Sequence, residues 1–215
     1  MPVQLPLFPL AIVLFPGALL PLHIFEPRYR RLIADVTEGE KSFGILLPGD
    51  SGELPPPGTM GCAALLRGVQ PLEDGRLNIV VSGERRFALV RPLAATTPYF
   101  QGWVEWVDDT PDILLPTGEE LARLRALGER YARAAHALND AAIDSALPAG
   151  AAELSFEVAA LLEWELEARQ RFLEIRSATE RVARLLQALP GLVAAMEGRA
   201  LVHAQAQGNG RGGFR

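Results

Sequence analysis

The sequence predicts an α+β fold with segregated elements: a β-rich first part holding one early helix, then an all-α second part. Three observations predict it. Up to about residue 107 the apolar residues fall in short runs, some alternating, punctuated by Pro and Gly. Asp74-Gly75 stands between two such runs as a hairpin signal. From Pro111 the pattern changes to apolar residues at helical spacing behind capping-box sequences. The expected division is 1–110, 111–203, and a Gly-rich polar tail over 204–215 without fixed structure.

Each element has its own reason. Leu5-Pro6-Leu7-Phe8-Pro9-Leu10 and Ala11-Ile12-Val13-Leu14-Phe15 read as extended. Pro16-Gly17 suits the centre of a type II turn, proline presetting φ and glycine accepting a positive one. Leu19 to Phe25 resumes the extended run. Pro27 then opens a helix, where its missing N–H costs nothing, and Tyr29, Leu32, Ile33 and Val36 make its apolar stripe. Glu26 and Arg30 are spaced to pair across one turn. Ser42 to Leu47 is a strand, and Pro48 to Gly58, with four prolines and three glycines, is a loop. Cys62 to Leu72 and Arg76 to Arg91 are the hairpin strands, with Gly83 marking a bulge or bend. Phe100 to Val107 follows, with Trp103 and Trp106 on opposite faces.

In the second part, Thr117 and Glu120 form a capping box ahead of Leu121, Leu124, Leu127, Tyr131, Ala134 and Leu138. Pro148 and Gly150 interrupt. Leu154, Val158, Leu161, Leu162 and Leu166 mark a second helix, with Trp164 at the margin of its stripe. Ser177 and Glu180 cap a third, through Val182, Leu185, Leu186 and Leu189. Pro190-Gly191 is expected to stop it before a short last helix from Leu192 to Val202.

Composition limits function. The chain has 215 residues, 49% hydrophobic and 22% charged, with net charge −5 and a pI near 5.3. It is long enough to bury a core, and its mild acidity gives no overall attraction for phosphate backbones or anionic lipid. The single cysteine, Cys62, lies in an apolar run and reads as a buried thiol. The apolar stretch from Val3 to Leu22 has no Lys or Arg before Arg28 and carries prolines at 6, 9, 16 and 21. It is therefore a poor signal peptide and a poor spanning helix. A soluble, cytoplasmic protein with no membrane partner is expected.

The catalytic inventory argues against an enzyme. The one lysine, Lys41, has no P-loop glycines around it and no context for a Ser–Lys dyad. His23, His136 and His203 lack ligand spacing, so neither a metal nor a cofactor is expected. His23, in an apolar run, reads as a packed histidine. Glu163, Glu165 and Glu167 read as a solvated helix face. Arg28-Tyr29-Arg30-Arg31 and Arg85-Arg86-Phe87 mix arginine with an aromatic, as nucleic-acid binders do, but in a chain of acidic net charge a solvated helix face and a loop after a bulge are the favoured readings.

Leu5-Pro6-Leu7-Phe8-Pro9-Leu10, Leu14-Phe15-Pro16-Gly17 and Leu20-Pro21-Leu22-His23-Ile24-Phe25-Glu26-Pro27-Arg28-Tyr29 resemble the amino-terminal substrate-binding domain of the Lon protease family. The likeness continues through Gly61 to Leu72, Asp74-Gly75 and Arg76 to Leu89, and in the helix from Ser177 to Leu189. It implies a PUA-like β-barrel followed by a helical bundle, and a non-catalytic role in holding unfolded or partner polypeptides. The chain departs from Lon in ending where the ATPase begins, so a stand-alone recognition domain is expected, with a Lon-type ATPase as one conceivable partner. Candidate contacts for polypeptide are Phe25, Pro27, Arg28, Tyr29, Arg30 and Arg31, or the groove between barrel and bundle. The alternative is RNA binding, as in PUA-like barrels, with Arg85 and Arg86 as the contacts. The oligomeric state is left open.

Overall fold

A computed structural model describes residues 1–94, 96–139 and 147–210. It contains a six-stranded sheet and five helices. The elements are β1 (Val3–Pro9), β2 (Leu19–Ile24), α1 (Pro27–Glu38), β3 (Ser42–Leu46), β4 (Met60–Pro71), β5 (Leu77–Pro92), β6 (Phe100–Val107), α2 (Gly118–Asn139), α3 (Ala151–Leu161), α4 (Leu166–Leu173) and α5 (Ala178–Gly210). The chain divides into two compact units. One comprises Met1–Thr110 together with Trp164–Arg176, and the other Pro111–Glu163 together with the chain from Ser177. The expected division after residue 110 does not include the return of Trp164–Arg176 to the first unit.

In the first unit the strand order is β2-β5-β4-β3-β1-β6, and β5 also pairs with β6. That extra ladder closes five strands into a ring and leaves β2 as a flap on β5. All pairings are antiparallel except β1 with β3. The turn at Gly17 (φ 85°) forms as expected, with Ala18 N–H bonded to the Phe15 carbonyl at 3.1 Å. Gly83 also behaves as read: β4–β5 register shifts beside it, and its N–H and carbonyl pair with Ala18 and Gly17 at 2.9 Å. A Cβ there would lie 2.1 Å from the Phe15 carbonyl oxygen. At the hairpin, Gly75 takes φ 79° behind a Leu72–Gly75 turn, the geometry of a three-residue loop ending in a glycine bulge.

Residues 11–15 do not form the second extended strand that was expected. Val13, Leu14 and Phe15 are buried in succession and run as a covered connection that pairs with no strand. Helix α1 buries Tyr29, Leu32, Ile33 and Val36 among Phe8, Ile24, Phe43, Ile45 and Ile79, each burial contributing about 2 kcal/mol before entropy costs. Glu26 pairs with Arg28 (2.9 Å) rather than Arg30, whose Nη1 donates to the Gly75 carbonyl at 3.0 Å. Cys62 is fully buried, as expected.

In the second unit α2 begins with the expected capping box: Glu120 N–H donates to Thr117 Oγ1 at 3.2 Å, and Thr117 N–H to Glu120 Oε2 at 2.7 Å. At α5, Glu180 N–H donates to Ser177 Oγ (2.9 Å), and Asp112 accepts from both N–H and Oγ1 of Thr179 at 2.9 Å.

Two helix readings need correction. The stretch expected as one helix over 154–166 is broken after Leu161, and Trp164, Glu163 and Glu165 lie between α3 and α4. Pro190 does not stop α5, which continues to Gly210 through the region expected to lack fixed structure from 204. The buried row Val182, Leu185, Leu189, Val193, Met196 runs across the proline, which sits on the exposed side, so packing overrides propensity. The expected tail over 211–215 lies outside the described residues. By length and composition α5 is apolar enough over Ala178–Ala206 to cross a membrane. Here its buried row packs on α2 and α3, and Glu197 pairs with Arg130 at 2.9 Å.

Candidate functional site

β2 and the start of α1 carry the exposed apolar surface of the first unit. Alternation along β2 sends Leu20, Leu22 and Ile24 inward and leaves Leu19, Pro21 and His23 outside. Phe25 follows, 62% exposed, and Leu19 is 69% exposed. Val80, paired with Pro21, extends the apolar surface onto β5, whereas Val69, paired with Ile79, is exposed on the opposite face beside α1. Around them lies a shallow depression of about 650 Å³ that includes Pro21 and His23. A second cleft, of about 210 Å³, runs beside β2 and is lined by Phe8, Leu10, Leu22, Ile24, Phe25 and Tyr29. Phe8 and Tyr29 stack within it at 3.9 Å between ring centres.

His23 is exposed, not packed as its apolar neighbours suggested. Its Nδ1 is hydrogen-bonded with Asn78 Oδ1 (2.8 Å), and its Nε2 faces Arg76 Nη1 at 3.4 Å. The Phe25 ring stacks on it at 6.3 Å. This places two flat side chains side by side at the end of β2.

The candidate residues separate. Phe25 and Pro27 are exposed, and Arg28 is half-buried over the Tyr29 ring at 4.5 Å. Tyr29 is 4% exposed and forms part of the cleft wall, where burial raises its hydroxyl pKa. Arg30 turns to the hairpin, and Arg31 pairs with Asp35 at 2.9 Å. Leu19 and Val80 were missed; their signal was the outer phase of each strand's alternation.

The arginine pair proposed for RNA does not form one surface. Arg85 is exposed, over Trp106 at 4.9 Å and paired with Asp108 at 3.1 Å. Arg86 is 3% exposed, and its Nη1 donates to the carbonyls of Leu173 and Ile175, both at 2.8 Å. It also pairs with Asp109. Arg86 therefore cannot be an RNA contact: consecutive strand residues face opposite sides, Phe87 faces the core, and the side of Arg86 is covered by the Leu173–Ile175 segment.

The six-stranded sheet and its helices have the fold of Lon amino-terminal domains. The fold matches the crystal structure of a Lon N-terminal domain protein from Xanthomonas campestris, with TM-score 0.66 and 29% identity, covering 87% of this chain and 99% of that one. It matches the N-terminal domain of Mycobacterium avium complex Lon protease in fold, with TM-score 0.58 and 18% identity over 86% of this chain and 97% of that one. The family described as the ATP-dependent protease La (LON) substrate-binding domain matches residues 4–190, and the chain belongs to it. Among curated relatives, Lon protease of Cytophaga hutchinsonii is 25% identical over 95% of this chain, and that of Parabacteroides distasonis is 32% identical over 50%. The aligned part spans only 26% and 14% of those two proteins.

Proposed function

We propose that the chain is a non-catalytic recognition domain, with a PUA-like barrel and a helical bundle, that holds unfolded or partner polypeptides in the cytoplasm. One observation carries the reading: Phe25, 62% exposed, stands on His23 beside an apolar cleft in a family of substrate-binding domains. Exposed aromatic surface rimmed by polar groups is how a protein binds apolar segments of many sequences. Phe25, Pro27 and Arg28 form the accessible contact, with Tyr29 behind them. Arg30 and Arg31 lie at its margin. A Lon-type ATPase is one partner to which such a domain could deliver a chain.

The test is a titration of a labelled, permanently unfolded polypeptide with the purified protein. Saturable micromolar binding that survives moderate salt supports the reading. A labelled single-stranded RNA bound instead, with affinity falling as salt rises, contradicts it.

A further inference from the structure

β2 is an edge strand. Among the described residues it pairs with β5 alone, and no backbone group of Leu19–Ile24 bonds elsewhere. The phase of its ladder follows from the hairpin. Leu72 N–H bonds the Arg76 carbonyl at 2.9 Å, so the hydrogen-bonded pairs of β4 and β5 continue at Gln70↔Asn78 and Gly68↔Val80. Asn78 and Val80 thus turn their backbone groups toward β4. Across the other ladder the bonded pairs are Leu20↔Val81 and Leu22↔Ile79, and Leu19, Pro21 and His23 direct their backbone groups outward. Pro21 fits this phase, since its missing N–H would fall on the open side.

The free edge therefore offers N–H and C=O of Leu19, C=O of Pro21, and N–H and C=O of His23, about 7 Å apart along the strand. Edge strands usually carry charge that prevents pairing, but β2 is Leu-Leu-Pro-Leu-His-Ile, interrupted by one proline alone. Only another strand complements such a row of alternating donors and acceptors. The 210 Å³ cleft runs along this same strand, with Leu22 and Ile24 of β2 and with Phe8 and Leu10 of the chain around β1 in its wall.

We propose that an extended polypeptide segment adds to β2 as a further strand. Its backbone pairs with Leu19, Pro21 and His23. Every second side chain enters the cleft, and the alternate ones lie against Pro21, His23 and Phe25. This rests on the polypeptide reading above and names its ligand: an extended segment with apolar residues at alternate positions, selected by pattern more than by sequence.

The test is amide hydrogen exchange of the whole chain with and without a reduced, carboxymethylated polypeptide as probe. The expected result is exchange at least tenfold slower at Leu19 and His23 when the probe saturates. Binding with unchanged exchange at both amides overturns strand addition and leaves polypeptide recognition standing; absence of binding overturns both. Slowing that appears without probe as protein concentration rises assigns the edge to a second copy and also overturns the proposal. His23→Pro and His23→Ala give an independent measure, since both remove the imidazole and only proline removes the outward N–H. The proline variant is expected to bind the probe about tenfold more weakly than the alanine variant. Equal affinities overturn the proposal.

Discussion

Arg86 donates Nη1 to the Leu173 carbonyl at 2.8 Å, tying α4 to the middle of β5 across 87 positions of sequence. The same nitrogen reaches the Ile175 carbonyl, and Nη2 reaches Asp109. One buried guanidinium thus holds together two chain segments that enter the first unit separately.

Arg86→Ala should therefore cost about 3–5 kcal/mol, because it removes a buried guanidinium that two carbonyls and a carboxylate share. Arg86→Lys should rescue little, since a single ammonium lacks the fork that serves three acceptors. Arg85→Ala, which removes an exposed ion pair and a surface ring contact, should change stability by about 1 kcal/mol or less. Urea unfolding of the three variants measures all of this. Equal losses for Arg85 and Arg86 would contradict the opposed orientations.

Gly83→Ala tests the junction of β5 with the Phe15–Ala18 turn. The new methyl would lie 2.1 Å from the Phe15 carbonyl oxygen, which backbone on both sides holds in place. A loss of about 2–3 kcal/mol is expected in denaturant unfolding. Gly68→Ala is the control, because nothing lies within 4 Å of a Cβ there.

Much of this was legible in the chain. The turn at Gly17, the bend at Gly83, the hairpin at Gly75 and the capping box at Thr117 are local choices, each decided by one or two residues. What failed depended on distant contacts. Pro190 is a helix breaker by propensity, and only the buried row continuing past it keeps α5 whole. Arg85 and Arg86 are indistinguishable as letters; the Leu173–Ile175 segment that covers one side of β5 decides which is buried. His23 was read from its apolar neighbours, yet alternation places it with the exposed residues of β2. Of the candidate surface, Phe25 and Pro27 are exposed and Tyr29 is buried. Leu19 and Val80 became visible only once β2 and β5 were side by side.

Cys62 yields a pH prediction. Burial pushes its thiol up to about 12 from an ordinary 9.0. The native state then holds the proton more tightly than the unfolded chain does. This contribution to stability is complete below about pH 9 and declines as pH rises from there toward 12. In native protein at pH 8 the thiol should resist a disulfide reagent, and it should react fully in denaturant. Rapid labelling of the native protein would contradict the burial.

The central claim is that the surface at the end of β2 holds polypeptide, and Phe25→Ala measures it most directly. The side chain is 62% exposed, so its removal should leave the unfolding midpoint nearly unchanged. Fluorescence anisotropy of a labelled unfolded polypeptide should show affinity about tenfold weaker for Phe25→Ala than for the unaltered protein, the loss of roughly 1.4 kcal/mol expected for one aromatic anchor. Undiminished binding by a folded Phe25→Ala variant would place recognition elsewhere on the molecule and contradict the account.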